Sequence, residues 1–162
     1  MTNRSFAPWV EPIAEQLRAS RTEIVRTAHQ LLDPLWTLPS RMKGWTFKDL
    51  LAHLASGDWV CQMILRAALD NEPFDMAALN DVDGQNELHR QERQDRSVRE
   101  LIAEVQAEGE ETQELLARLT DADENRTQKD APMSLGEYLR GFPNHDREHL
   151  EELTRALDSI MI

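Results

Sequence analysis

Cysteine is almost absent from this chain. Cys61 stands alone, so no disulfide can close within the chain and no cysteine-built zinc motif exists. Glycine and proline, six and seven residues, are too sparse for a low-complexity protein. Strand signals are scarce too: no run alternates β-branched and aromatic residues, and no Asn-Gly or Asp-Gly joins two apolar runs. Asp83-Gly84 has polar flanks and reads as a loop or a helix end. No hydrophobic run approaches a membrane span, and MTNRSFAPWVEP lacks the apolar segment and cleavage site of a secretory leader. A cytoplasmic protein without a membrane partner is the expectation. Positive charge is also short. Eighteen Lys and Arg face thirty Asp and Glu, and the net charge of −12 repels nucleic-acid phosphate. No nucleic-acid partner is expected, and a solvated acidic surface accounts for the charge.

What remains is helix. The 162 residues form one expected domain, 1–162, with 40% hydrophobic residues to build its core. A first helix is predicted over 10–35, with Ile13, Leu17, Ile24, Ala28, Leu31 and Leu35 near one face. A second starts at Thr46, where Asp49 completes a capping box and Trp45 with Leu50 forms a hydrophobic staple. Its stripe of Leu50, His53, Leu54, Gly57, Cys61, Ile64 and Ala68 carries it to about residue 69. Residues 70–96 are polar, with room for a short helix over 79–94 that crosses the bundle or covers one end. A third helix begins at Ser97, boxed by Glu100, and a fourth at Ser134, boxed by Glu137. The fourth carries Leu135, Leu139, Phe142, His145, His149, Leu153, Ala156 and Ile160 on one stripe, and Pro143 inside it predicts a kink or break. Four amphipathic helices of this length must bury their stripes on one another. The fold class is therefore all-α, a four-helix bundle with a long connection between helices 2 and 3.

Three of the five histidines lie on those apolar stripes: His53, His145 and His149. Residues four apart on a helix share a face, with Cβ atoms about 5–6 Å apart, so His145 and His149 can bind one ion. A buried unpaired imidazole costs roughly 1–3 kcal/mol, which calls for a partner. Two readings stand: a shared divalent metal, or core or interface histidines satisfied by carbonyls and carboxylates. Three nitrogen ligands leave an open position, the pattern of a catalytic rather than a structural zinc site, and imidazole suits zinc, nickel or iron equally. Cys61 lies about 12 Å along the helix from His53 and reads as core. Asp49, Asp58, Asn86, Asp146 and Glu152 are the candidate outer partners of the rings. Trp45, Trp59 and Tyr138 are candidate pocket walls, though Trp45 also serves the staple and Trp59 also fits simple packing.

GWTFKDLLAHLASGDW, followed far downstream by HDREHLEEL, resembles the DinB-like (YfiT-like) superfamily of four-helix-bundle metalloenzymes. This superfamily is related to mycothiol-dependent maleylpyruvate isomerase N-terminal domains. The likeness spans nearly the whole chain. Its specific part is Gly44-Trp45-Thr46, Asp49, His53, His145 and His149. It implies an up-down-down-up bundle and a metal held by His53, His145 and His149. In the isomerase branch the first ligand of the final pair can be glutamate. His145 here points to the three-histidine branch. The expected function is a divalent-metal-dependent enzyme acting on a small molecule, either a hydrolase or a transferase using a low-molecular-weight thiol. The alternative is a non-catalytic helical module, a ligand binder or dimeric scaffold with an incidental or structural metal. A homodimer is expected, with Phe6, Trp9, Met161 and Ile162 as candidate contacts.

Overall fold

The computed structural model describes residues 4–127 and 131–158. Within them the chain is helical, and the only β-type pairings are two isolated bridges, Pro39 with Thr46 and Thr127 with Ser134. The helices are α1 (Glu11–Gln30), α2 (Phe47–Ala55), α3 (Trp59–Asp70), α4 (Met76–Asn80), α5 (Val82–Glu92), α6 (Val98–Leu116) and α7 (Leu135–Asp158). Helix α1 packs along α7 and α6, α2 rests on α6 and α5, and α3 meets α6 and α7. None is long and apolar enough to cross a membrane.

Helix starts follow local chemistry. The Thr46–Asp49 and Ser97–Glu100 capping boxes are both closed in each direction, and Ser134 exchanges bonds with Glu137 in the same way. The helices depart from the sequence reading in three places. The first helix stops at Gln30, not 35, because Pro34 turns Asp33–Thr37 into a short 3-10 segment. The second helix does not run on to residue 69. It breaks at Ser56-Gly57-Asp58, where Gly57 (φ +76°) and Asp58 (φ +47°) both take left-handed backbone. Asp83-Gly84 lies at a helix end, as read, in the first turn of α5, where Asp81 caps the Gly84 amide. Pro143 does not interrupt α7, which is continuous from Leu135 to Asp158.

The core is split. One apolar cluster gathers Ile13, Leu17, Cys61, Ile64, Leu65, Leu116, Leu135 and Leu139. The other gathers Ile24, Ala28, Leu50, Leu54, Leu101, Val105 and Leu153. Every long element passes from one to the other through a polar step: Arg21 in α1, Asp58 between α2 and α3, Thr112 in α6, Asp146 in α7. That layer of buried polar groups is where the site lies. Of the candidate dimer contacts, Trp9 is buried in the first cluster and donates from Nε1 to the Thr120 carbonyl at 3.0 Å, and Phe6 packs half-buried against that cluster. Met161 and Ile162 fall outside the described residues.

Candidate metal centre

The break after α2 brings three imidazoles to one point. His53 sits in the last turn of α2 and is buried, while His145 and His149, successive turns of α7, are half-buried. His145 Nε2 lies 3.3 Å from His53 Nε2 and 3.1 Å from His149 Nε2. The ring planes stand nearly perpendicular in pairs, at 79°, 77° and 87°. Metal–nitrogen bonds of 2.0–2.1 Å in tetrahedral geometry put ligand nitrogens about 3.3 Å apart. The two measured spacings therefore match edges of a coordination shell as well as they match hydrogen bonds. A hydrogen-bond reading is incomplete, because one Nε2 proton on His145 can serve only one of its two neighbours. The donor set fits a divalent transition metal.

The electrostatics sort the three rings. Burial, then the other two histidines, push His53 down to about 3. Burial and the charge of His145 take His149 down to about 4. Both therefore offer neutral lone pairs near pH 7. His145 goes the other way. Burial pulls it down, but Asp146 and Asp58 outweigh burial and raise it to about 9. Its Nδ1 stands 3.2 Å from Asp58 Oδ1 and 3.9 Å from Asp146 Oδ1.

Behind His145 lies a buried ionic group in which Arg21, absent from the sequence candidates, joins the two candidate aspartates. Arg21 donates to both Asp146 oxygens, from Nε at 2.8 Å and Nη2 at 3.1 Å, and its Nη2 also reaches Asp58 Oδ2 at 2.7 Å. Its Nη1 donates to the Leu54 carbonyl at 2.7 Å, satisfying an acceptor near the end of α2. Asp58 is held well below the usual carboxylate range. Burial opposes this, but the adjacent Arg21 and His145 prevail. Asp146 is fully buried, and burial pushes its carboxyl up. On a helix face, an arginine in α1 and an aspartate in α7 read as solvent-exposed, and only the packing of α1 on α7 removes them from water.

The five outer candidates separate. Asp58 and Asp146 face His145. Asp49 instead closes the Thr46 cap and pairs with Arg90 at 2.9 Å. Asn86 accepts from Trp59 Nε1 at 2.8 Å, and Glu152 accepts from the Arg41 amide at 2.5 Å. The aromatic candidates separate as well. Trp45 packs edge-on against His53 with ring centres 5.7 Å apart. Trp59 lines a cavity of about 110 Å³ with His53, Asp58, Val60, Val82, Asn86 and His145. Tyr138 is no wall of this site. It pairs with Phe74 in the first apolar cluster.

Helix α5 belongs to the site. Its Val82 and Asn86 reach the cavity, and Glu87 and Arg90 clasp the start of α2. Trp45 Nε1 donates to Glu87 at 3.2 Å, and Arg90 bridges Glu87 and Asp49. A larger cavity of about 240 Å³ lies between α1 and α6, lined by Leu17, Val25, Val105 and Gly109 among others. It touches Asp58 and Arg21 but none of the three histidines.

No curated protein and no solved structure matches the chain. One family profile does match, over residues 17–155, a stretch that contains all three histidines, Arg21, Asp58 and Asp146. Those residues place the chain in the mycothiol maleylpyruvate isomerase N-terminal domain family, within the DinB-like superfamily.

Proposed function

We propose that this protein is a divalent-metal-dependent enzyme acting on a small molecule, with His53, His145 and His149 as the ligands. The observation that carries the reading is the convergence of three Nε2 atoms at 3.1 and 3.3 Å, near the edge length of a tetrahedral shell. A bound ion would supply Lewis-acid charge, lowering the pKa of a water or thiol in its open position. The remaining chemistry belongs to the chain. Neutral His53 and His149 present lone pairs at physiological pH. Trp45 packs against His53, and Trp59, Val82 and Asn86 line the cavity beside His53 and His145.

Hydrolysis and thiol transfer both fit such a centre. The family's name supports the thiol: mycothiol is a thiol cofactor of the isomerase for which the family is named. A cavity of about 110 Å³ suits a sulfhydryl head or a water, with the rest of a substrate lying outside. The four-helix bundle in up-down-down-up order is part of the same reading. It is supported by the packing of α1 on α6 and α7, and of α2 and α3 together on α6.

The test compares wild type with His149→Ala after loading with zinc, nickel or iron(II). Each is supplied with low-molecular-weight thiols plus electrophilic acceptors, and separately with activated esters. Metal-dependent turnover in wild type alone is expected. Binding without turnover across both panels would transfer the site to a non-catalytic module. Absence of binding would remove the proposal.

A further inference from the structure

An imidazole that gives Nε2 to a cation carries its proton on Nδ1, and that N–H requires an acceptor. In His145 the Nδ1 atom is buried and lacks an aligned hydrogen-bond partner among the described residues. Two carboxylates are near. Asp146 is already committed, with both oxygens on Arg21. Asp58 accepts from Arg21 at Oδ2 and leaves Oδ1 3.2 Å from the ring nitrogen, within hydrogen-bonding distance.

The local backbone points the same way. Asp58 is the residue that starts α3, a position where aspartate ordinarily accepts from the next turn's amides. Here it makes no capping bond. Its carboxylate turns inward to Arg21 and His145, and its side chain is only 5% exposed. The left-handed step at Gly57 and Asp58 is what separates α3 from α2 at this point. A second cation beside Asp58, His145 and Asp146 is not needed, because the guanidinium already sits within 2.8 Å of both carboxylates.

We propose that Asp58, braced by Arg21, is a positioning residue that fixes His145 as its Nδ1–H tautomer with Nε2 turned to the shared centre. The inference rests on the metal reading above. It adds that the affinity of the site depends on a residue outside the ligand set.

The experiment measures zinc affinity by competition with a chromophoric chelator in wild type, Asp58→Gly and Asp58→Asn. Glycine accepts the left-handed backbone and removes the carboxylate, and asparagine tolerates that backbone while keeping an acceptor oxygen. Asp58→Gly should weaken binding by roughly ten- to a hundredfold, and Asp58→Asn should recover most of that loss. Long-range proton–nitrogen-15 spectra of zinc-loaded wild type should show His145 protonated at Nδ1 and metal-bound at Nε2. This readout stands even if a variant fails to fold. Unchanged affinity in Asp58→Gly, or zinc on His145 Nδ1, would overturn the role of Asp58 and leave the triad intact. A wild type that binds no zinc, nickel or iron(II) would overturn both readings together.

Discussion

Arg21 and Asp146 meet in a two-pronged contact, Nε to Oδ2 at 2.8 Å and Nη2 to Oδ1 at 3.1 Å, that ties α1 to α7 one residue from His145. The pair is out of water, with side chains 10% and 0% exposed. Removing one member of such a pair leaves its partner charged and stranded, at a cost of about 3–5 kcal/mol. Arg21→Met should therefore destabilise the fold by about that amount, since it strands Asp58 as well as Asp146. Urea melts of the metal-free protein test this, and a loss within 1 kcal/mol would mean the two carboxylates are satisfied by other means.

Metal binding should stabilise the folded state by mass action. At free metal a hundredfold above Kd the gain is about 2.7 kcal/mol. The gain should vanish in His53→Ala and in His149→Ala, each of which removes one Nε2 from the cluster. Thermal melts with and without zinc, paired with metal analysis of the purified variants, provide the check.

Binding should also release a proton. Near pH 7.5 His145, raised to about 9, carries its proton in the metal-free protein, whereas His53 and His149, lowered to about 3 and 4, do not. A ligand must be deprotonated at the bound atom, so uptake of one ion should expel close to one proton. Calorimetric titrations at pH 7.5 in two buffers of different ionisation enthalpy count it directly. Release near zero would mean His145 is already neutral.

The pH dependence of the metal-free fold follows from the same three rings, in opposite directions. His53 and His149 bind protons more readily unfolded, near 6.5, than folded, near 3 and 4. Their neutral burial therefore costs stability progressively as pH falls below 6.5 toward 4. His145 is raised, so its contribution is complete below 6.5 and is lost as pH climbs through about 9. Denaturant melts from pH 4.5 to 9.5 should show stability falling on both sides of neutrality. The acid limb should be shallower in His149→Ala, and an unchanged slope there would contradict the assignment.

Gly57 faces Glu108 of α6 with no space between them. A Cβ at Gly57 would stand 2.6 Å from the Glu108 Cβ, and the backbone is left-handed at φ +76°. Gly57→Ala combines a clash with an unfavourable dihedral and should cost about 1–3 kcal/mol. Because the shift moves the start of α3, it should also weaken metal binding. Chelator competition alongside the melts separates the two effects.

Much of the frame could be read from the chain. The boxes at Thr46, Ser97 and Ser134 are local devices, each a side chain reaching a backbone amide three residues away, and local chemistry fixes them. The stripe through α7 also predicted that the Leu135, Leu139 and Leu153 face would be buried. That stripe placed His145 and His149 at its centre, whereas the structure seats Asp146 deepest and leaves the two histidines half-exposed on the flank. Helical periodicity assigns a face to within one residue, and an aspartate reads as solvent until its partner is known. That partner, Arg21, lies 125 positions away.

The identities of the three imidazoles, the helix starts and the all-helical character were set by residue order, because each depends on neighbours within a turn or two. Their meeting point was decided by packing. The break at Gly57-Asp58, the placement of α5 against α2, and the burial of Arg21 between Asp58 and Asp146 all arise from contacts between distant segments. A dihedral compatible with either helix or turn is settled only when such contacts reward one choice. That is why Asp58, one surface-looking carboxylate among many in the sequence, becomes the residue facing His145 in the folded protein.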